Sequence, residues 1–176
     1  MASPKKNRKQ PSFEVLLEVT DNTGSPLLIM PEEQVLRHRL RHKGVIVCLR
    51  NLHGQIFLYK RPQQASIPHG GLWSFAASGR VYAGESFYDT AERLLEDEVA
   101  VTGLELTEVA RLEPTTQTGN AEAAVFVTAR SSVLPRIPEL GVQNGMYVDQ
   151  EELRALLRDF PHMVTPFLQL AAPYLF

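Results

Sequence analysis

One cysteine and one tryptophan occur in 176 residues, and neither sign of charge dominates: 18 Lys plus Arg stand against 20 Asp plus Glu. The lone Cys48 excludes an intrachain disulfide framework and a cysteine-built zinc cluster, and it suits a reducing compartment. A formal charge of -2 leaves no global basic field for a nucleic-acid backbone, so nucleic acid is not an expected partner and a charged ligand must be met locally. No stretch approaches the run of about 18 apolar residues that a membrane crossing needs. Met1 to Pro11 also lacks the apolar centre of a secretory signal. These absences predict a cytoplasmic protein with no membrane partner.

What is present is the composition of one globular domain, 44% apolar and 22% charged. Residues 1–11 carry Lys5, Lys6, Arg8 and Lys9 without apolar periodicity and read as a flexible basic tail, leaving 12–176 as a single domain. Phe13 to Val19 alternates as an edge strand, Asp21 to Gly24 is a turn, and Pro26 to Met30 is extended again. Gly44 to Leu49 and Gln55 to Lys60 are apolar runs joined through Asn51-Leu52-His53-Gly54, which predicts a β-hairpin. Leu72 to Ala77 is extended around Trp73 and Phe75, two residues expected in the sheet core. From Ser86 to Val99 the period becomes helical, with Tyr88, Ala91, Leu95 and Val99 on one stripe and Phe87 and Leu94 beside it. Leu106 to Leu112 and Ala121 to Thr128 are strands, and Gln150 to Arg158 and Pro166 to Leu175 are helices. Strands before and after one strong helix predict an α/β (α+β) sandwich.

The chemistry concentrates between Gly79 and Val101. A loop ending in Gly84-Glu85 delivers a helix with several acids, and hard cations take oxygen ligands and bridge to phosphates, so Asp97 and Glu98 suit a phosphate-metal site. The same acids also suit a solvated helix face paired with Arg93. Gly79, Glu85, Arg93, Leu95, Glu98 and Val101, with Asp97 standing for a Glu, resemble the Nudix box: Gly, five residues, Glu, seven residues, then Arg-Glu-U-x-Glu-Glu-x-Gly-U, where U is bulky aliphatic. Two positions depart, Leu94 for the Glu after the Arg and Ala100 for the Gly.

This resemblance implies a Nudix-like α/β/α sandwich with a mixed central β-sheet. It implies Asp97 and Glu98 as metal ligands and catalytic acids, the Gly79 or Ser78 carbonyl as a further ligand, and Glu85 with Arg93 as the brace of the loop. The cofactor implied is Mg²⁺ or Mn²⁺, and the substrate a small-molecule diphosphate, nucleoside-diphosphate-linked or similar. Leucine neither coordinates a cation nor takes a proton from water, so the degenerate box leaves catalysis impaired. A Nudix fold serving only as a ligand- or partner-binding module is the alternative.

The flanks are similar to the isopentenyl-diphosphate isomerase-like subgroup, through Asp21 to Gly24, His42, Asn51 to Gln55, Lys60-Arg61 and Gly71 to Gly79. The isomerase cysteine has no counterpart, because Ala76, Ala77 and Ser78 stand there and Cys48 sits in an apolar strand as a buried, inert thiol. Isomerisation is therefore not expected. Lys60 and Arg61 are the substrate-phosphate residues of choice. Arg37, Arg39, Arg41 and Lys43 suit phosphate, solvent or a homodimer contact alike. His42, His69 and His162 are too scattered to argue a metal site. An additional acid from beyond the box is sought at Glu122, with Glu139 as second choice.

Overall fold

The computed structural model describes residues 14–64, 68–136 and 145–176. The basic tail expected over residues 1–11 and Glu139 lie outside the described residues. The chain opens with a two-stranded hairpin of β1 (Leu16–Thr20) and β2 (Pro26–Pro31), followed by the short helix α1 (Glu32–Arg37). Next come β3 (His42–Cys48), β4 (Ile56–Lys60), β5 (Trp73–Phe75), β6 (Ala77–Arg80) and the helix α2 (Phe87–Val99). After β7 (Leu106–Leu112), β8 (Ala121–Thr128) and β9 (Gly145–Val148), the helices α3 (Gln150–Asp159) and α4 (Pro166–Ala171) end the fold.

A four-stranded mixed sheet runs in the order β6-β3-β8-β7, with β3 and β8 parallel and the outer pairs antiparallel. A three-stranded antiparallel sheet runs β5-β4-β9. The central strands are apolar on both sides because both faces are covered. Val45 and Val47 of β3 join Ala124 and Phe126 of β8 in a core with Ala91, Leu94, Leu95 and Val99 of α2. Ile46 and Cys48, with Val125 and Val127, face the opposite way into a core completed by Leu153 of α3 and Leu168 of α4. This period-two division puts one helix layer on each side of the sheets, an α/β/α sandwich.

The hairpin expected between Gly44 and Lys60 forms only at its turn. Asn51 Oδ1 accepts from His53 N and Gln55 N, and Phe57 N donates to Leu49 O. Beyond it β3 and β4 part into different sheets. Their divergence is needed because β3 finds its partners in β6 and β8, whereas β4 finds them in β5 and β9. Phe75 is fully buried as expected, but Trp73 is only partly so. Tyr88, expected on the buried stripe of α2, is exposed, and Leu94 is buried in its stead.

Candidate functional site

Serine at the start of α2 sets the geometry of the loop before it. Ser86 caps the helix by accepting from Asp89 N, and Asp89 returns the contact to Ser86 N, so two orphan N–H groups are satisfied reciprocally. Immediately before it, Glu85 takes both arms of Arg93, at 2.7 Å from Nε and 2.9 Å from Nη2. Thr90 Oγ1 and Tyr82 N also donate to Glu85, while Arg93 Nη2 reaches Arg80 O and its guanidinium stacks 3.8 Å from the Tyr82 ring centroid. Hydrogen bonds from Arg93, Thr90 and Tyr82 hold the Glu85 carboxyl below the usual carboxylate range. One fork of charge-assisted bonds thus ties both ends of the loop to the helix.

Glu98 stands near the other end of α2. Its half-buried carboxylate receives only two long contacts, 3.4 Å from Ser78 N and 3.5 Å from the Tyr59 hydroxyl. Burial therefore dominates and pushes its pKa up to about 7, although Arg61 lies close enough to pull the other way. Burial and the Glu98 charge together push the Tyr59 hydroxyl up to about 12. Asp97 projects outward, 64% exposed, with Arg93 Nη1 at 3.8 Å. Among the described residues no group of three or more His, Cys, Asp or Glu gathers as a metal cage.

One turn before Glu98, the isobutyl group of Leu94 packs onto Gly79. The departure from the box at residue 94 is thus a packed apolar contact within the α2 core. The second departure, Ala100, caps α2 in the left-handed region at φ +54°.

A cavity of about 380 Å³ is walled by residues of β3 and β6, Gly79 among them. Gly44 pairs with Arg80 and Ile46 with Ser78, so the strand alternation turns these four residues to one wall. His42, Arg61, His69, Ser74, the turn 116–119 and the start of α4 are also in the lining. Arg61, expected from the sequence, lines the cavity with Ser78, and Glu98, also expected, does not line it but accepts from Ser78 N. Arg61 Nε also donates to Pro68 O at 3.0 Å.

The other candidate residues lie elsewhere in the fold. Lys60 is not among the residues lining the cavity; it sits opposite Trp73 in the β4–β5 register. Glu122 pairs with Arg111, which stacks on Phe87 at the first residue of α2. It is therefore separated from Glu98 by eleven residues of helix, about 16 Å of rise, and cannot complete a shell there. Arg37, Arg41 and Lys43 face Glu33, Asn22 and Glu18 respectively, and the basic cluster does not line the cavity. Cys48 is fully buried and its thiol is pushed up by burial, leaving it unreactive packing. The sequence reading missed Arg80 altogether and undervalued His42 and His69, which meet at the cavity from distant positions. Alternation along β6 from Ser78 to Arg80 was the available signal for Arg80.

Comparison with known proteins adds a family assignment to this geometry. The NUDIX domain model matches residues 40–165. The chain is 30% identical over 150 residues to the uncharacterized Nudix hydrolase PA4841 of Pseudomonas aeruginosa, covering 84% of this chain and 86% of that protein. It is 28% identical over 150 residues to an isopentenyl-diphosphate Delta-isomerase of Cereibacter sphaeroides, covering 81% and 84%. Among solved structures, DR0079 from Deinococcus radiodurans superposes with a TM-score of 0.77 at 19% identity, over 92% of this chain and 99% of that one, a likeness of fold.

Proposed function

The chain belongs to the NUDIX domain family, and from that premise we propose that it is a hydrolase cleaving a phosphoanhydride bond in a small-molecule diphosphate bound in the cavity beside Glu98. The observation that carries this reading is the junction at Ser78. Its backbone N–H meets Glu98 on one side while its residue lines the cavity with Arg61 and Arg80 on the other.

The donor set suits a divalent ion held largely by water and substrate. Mg²⁺ commonly uses one or two carboxylates plus substrate phosphates, and Glu98 is an under-satisfied carboxylate with Asp97 next to it on the helix. Asp97, Glu98 and the Gly79 carbonyl would hold Mg²⁺ or Mn²⁺, which when bound supplies charge neutralisation at the phosphate oxygens and polarisation of phosphorus. Arg61 donates to the phosphate from the cavity wall, and its fixed contact with Pro68 O limits its wandering. The Glu85–Arg93 fork holds the loop from Tyr82 to Ser86 against α2. Leu94 supplies no base and no ligand, so turnover is slow for this fold.

That same leucine favours a second reading, a Nudix fold that binds a diphosphate without cleaving it. Hydrolysis of ADP-ribose and other diphosphates with Mg²⁺ or Mn²⁺, followed by ³¹P NMR, separates the two. The hydrolase reading expects metal-dependent cleavage that falls by at least about a hundredfold in Glu98→Gln, the scale of losing a transition-state contact. Undiminished turnover in that variant rejects Glu98 as part of the machinery, and binding without cleavage supports the second reading.

A further inference from the structure

His42 opens β3 and is only 3% exposed, yet the hydrolytic reading gives it no task. Its Nδ1 lies 2.9 Å from Leu40 O. A carbonyl oxygen only accepts, so Nδ1 carries the proton and the neutral ring presents Nε2 as an acceptor. Burial is the largest influence and favours the neutral ring over the opposing Leu40 contact; the charge of Arg80 adds to burial and that of Glu32 opposes it. Among the described residues no donor meets Nε2, and the sole buried side-chain polar atom without a partner there is Arg41 Nε. His42 is one of the residues lining the cavity, and Nδ1 is the ring nitrogen already committed.

The rest of the wall sharpens its meaning. Arg61 and Arg80 are donors only, and no carboxylate lines the cavity. The hydroxyls of Thr118 and Thr165 already accept from Thr115 N and Leu168 N. Ser74, Ser78 and Gln117 also line the cavity, and among these acceptors His42 is the one whose ring is held by a bond to a backbone carbonyl, that of Leu40. Arg80 already donates to Glu32 at 2.8 Å, which leaves Arg61 to meet an anion, while Nε2 is satisfied by an O–H of the same ligand. An aliphatic chain in this place would bury Nε2 against carbon, and a stranded buried acceptor costs more than the hydrogen bond gains.

We propose that His42 is a specificity-determining residue that accepts a hydrogen bond from a ligand hydroxyl, so that the cavity selects phosphoanhydrides bearing a sugar or other polyol over those bearing an aliphatic chain. This rests on the cavity being the diphosphate site. The test uses equilibrium titration of the full chain with the methylene-bridged analogues of ADP-ribose and isopentenyl diphosphate, neither of which can be cleaved. Wild type binds the ribose ligand more tightly. His42→Phe weakens that ligand by about tenfold, His42→Gln, whose amide oxygen still accepts, stays within about threefold of wild type, and isopentenyl binding is unchanged in both. Equal losses for both ligands, no loss for either, tighter isopentenyl binding by wild type, or failure of wild type to bind both would overturn the proposal. Retained isopentenyl binding also reports that each variant is folded. Because only binding is read, the selectivity can hold while hydrolysis fails, which would count against the hydrolase reading alone.

Discussion

Leu94 lies on the bare Cα of Gly79: a Cβ placed at residue 79 would come within 2.7 Å of Leu94 Cδ2. The glycine that opens the box and the leucine that breaks it are thus a packed pair. Gly79→Ala is expected to destabilise the protein by about 1–3 kcal/mol through overpacking. Adding Leu94→Ala relieves the clash, so the double variant loses less than the sum of the two single losses. Chemical denaturation of the four proteins measures the coupling; strict additivity would contradict the contact.

Ala100 adopts φ +54° at the end of α2, a conformation that glycine enters freely and alanine resists. Ala100→Gly therefore stabilises the fold by about 1 kcal/mol despite the greater freedom it gives the unfolded chain. Thermal unfolding checks it. A lower melting temperature in the variant would show that the strain is not there.

Neutralising Glu85 removes the charge-assisted fork to Arg93 and leaves the guanidinium with Arg80 O, the Tyr82 ring and the exposed Asp97 carboxylate at 3.8 Å. Because the pair is partly exposed, Glu85→Gln should cost only about 1–2 kcal/mol. The folded carboxyl is held below its ordinary value of 4.5. Its contribution is therefore present above that pH and is lost as pH falls through the folded pKa, so wild type and Glu85→Gln should converge in acid.

Glu98 has the opposite sign. Its folded pKa of about 7 exceeds the ordinary 4.5, so between these values the folded state holds a proton that the unfolded state has released. Stability attributable to Glu98 therefore falls as pH rises from 4.5 to 7. Glu98→Gln should match wild type near pH 4 and exceed it by about 2 kcal/mol at pH 8, a value discounted from the full shift because the carboxylate is partly solvated. Mg²⁺ or Mn²⁺ should raise the melting temperature of wild type at pH 8 and leave Glu98→Gln unmoved. Denaturation at the two pH values, with and without cation, checks both statements.

The helix and its loop were legible because their signals are local. Apolar spacing marked α2, and Glu85 and Arg93, eight residues apart, meet across one loop-to-helix junction. The cavity was not legible, since its walls come from β3, β6, the 116–119 turn and the start of α4, which only sheet pairing brings together. Glu122 shows the limit clearly. Its order along the chain made it the natural additional acid, but the parallel register that sets it opposite Lys43 turns it to the Phe87 end of α2. Register depends on long-range pairing that residue order does not reveal. Lys60 and Arg61 are adjacent in sequence, yet only Arg61 reaches the cavity.

The proposed meeting of a cation and a diphosphate where the C-terminal end of α2 abuts β6 is tested most directly by anomalous diffraction from crystals soaked in Mn²⁺ with the methylene-bridged analogue of ADP-ribose. The predicted result is a Mn²⁺ peak bridging Asp97 or Glu98 to the diphosphate, with the phosphates within reach of Arg61. A diphosphate bound in the cavity with no Mn²⁺ at either carboxylate, or Mn²⁺ bound at another cluster, would contradict the claim.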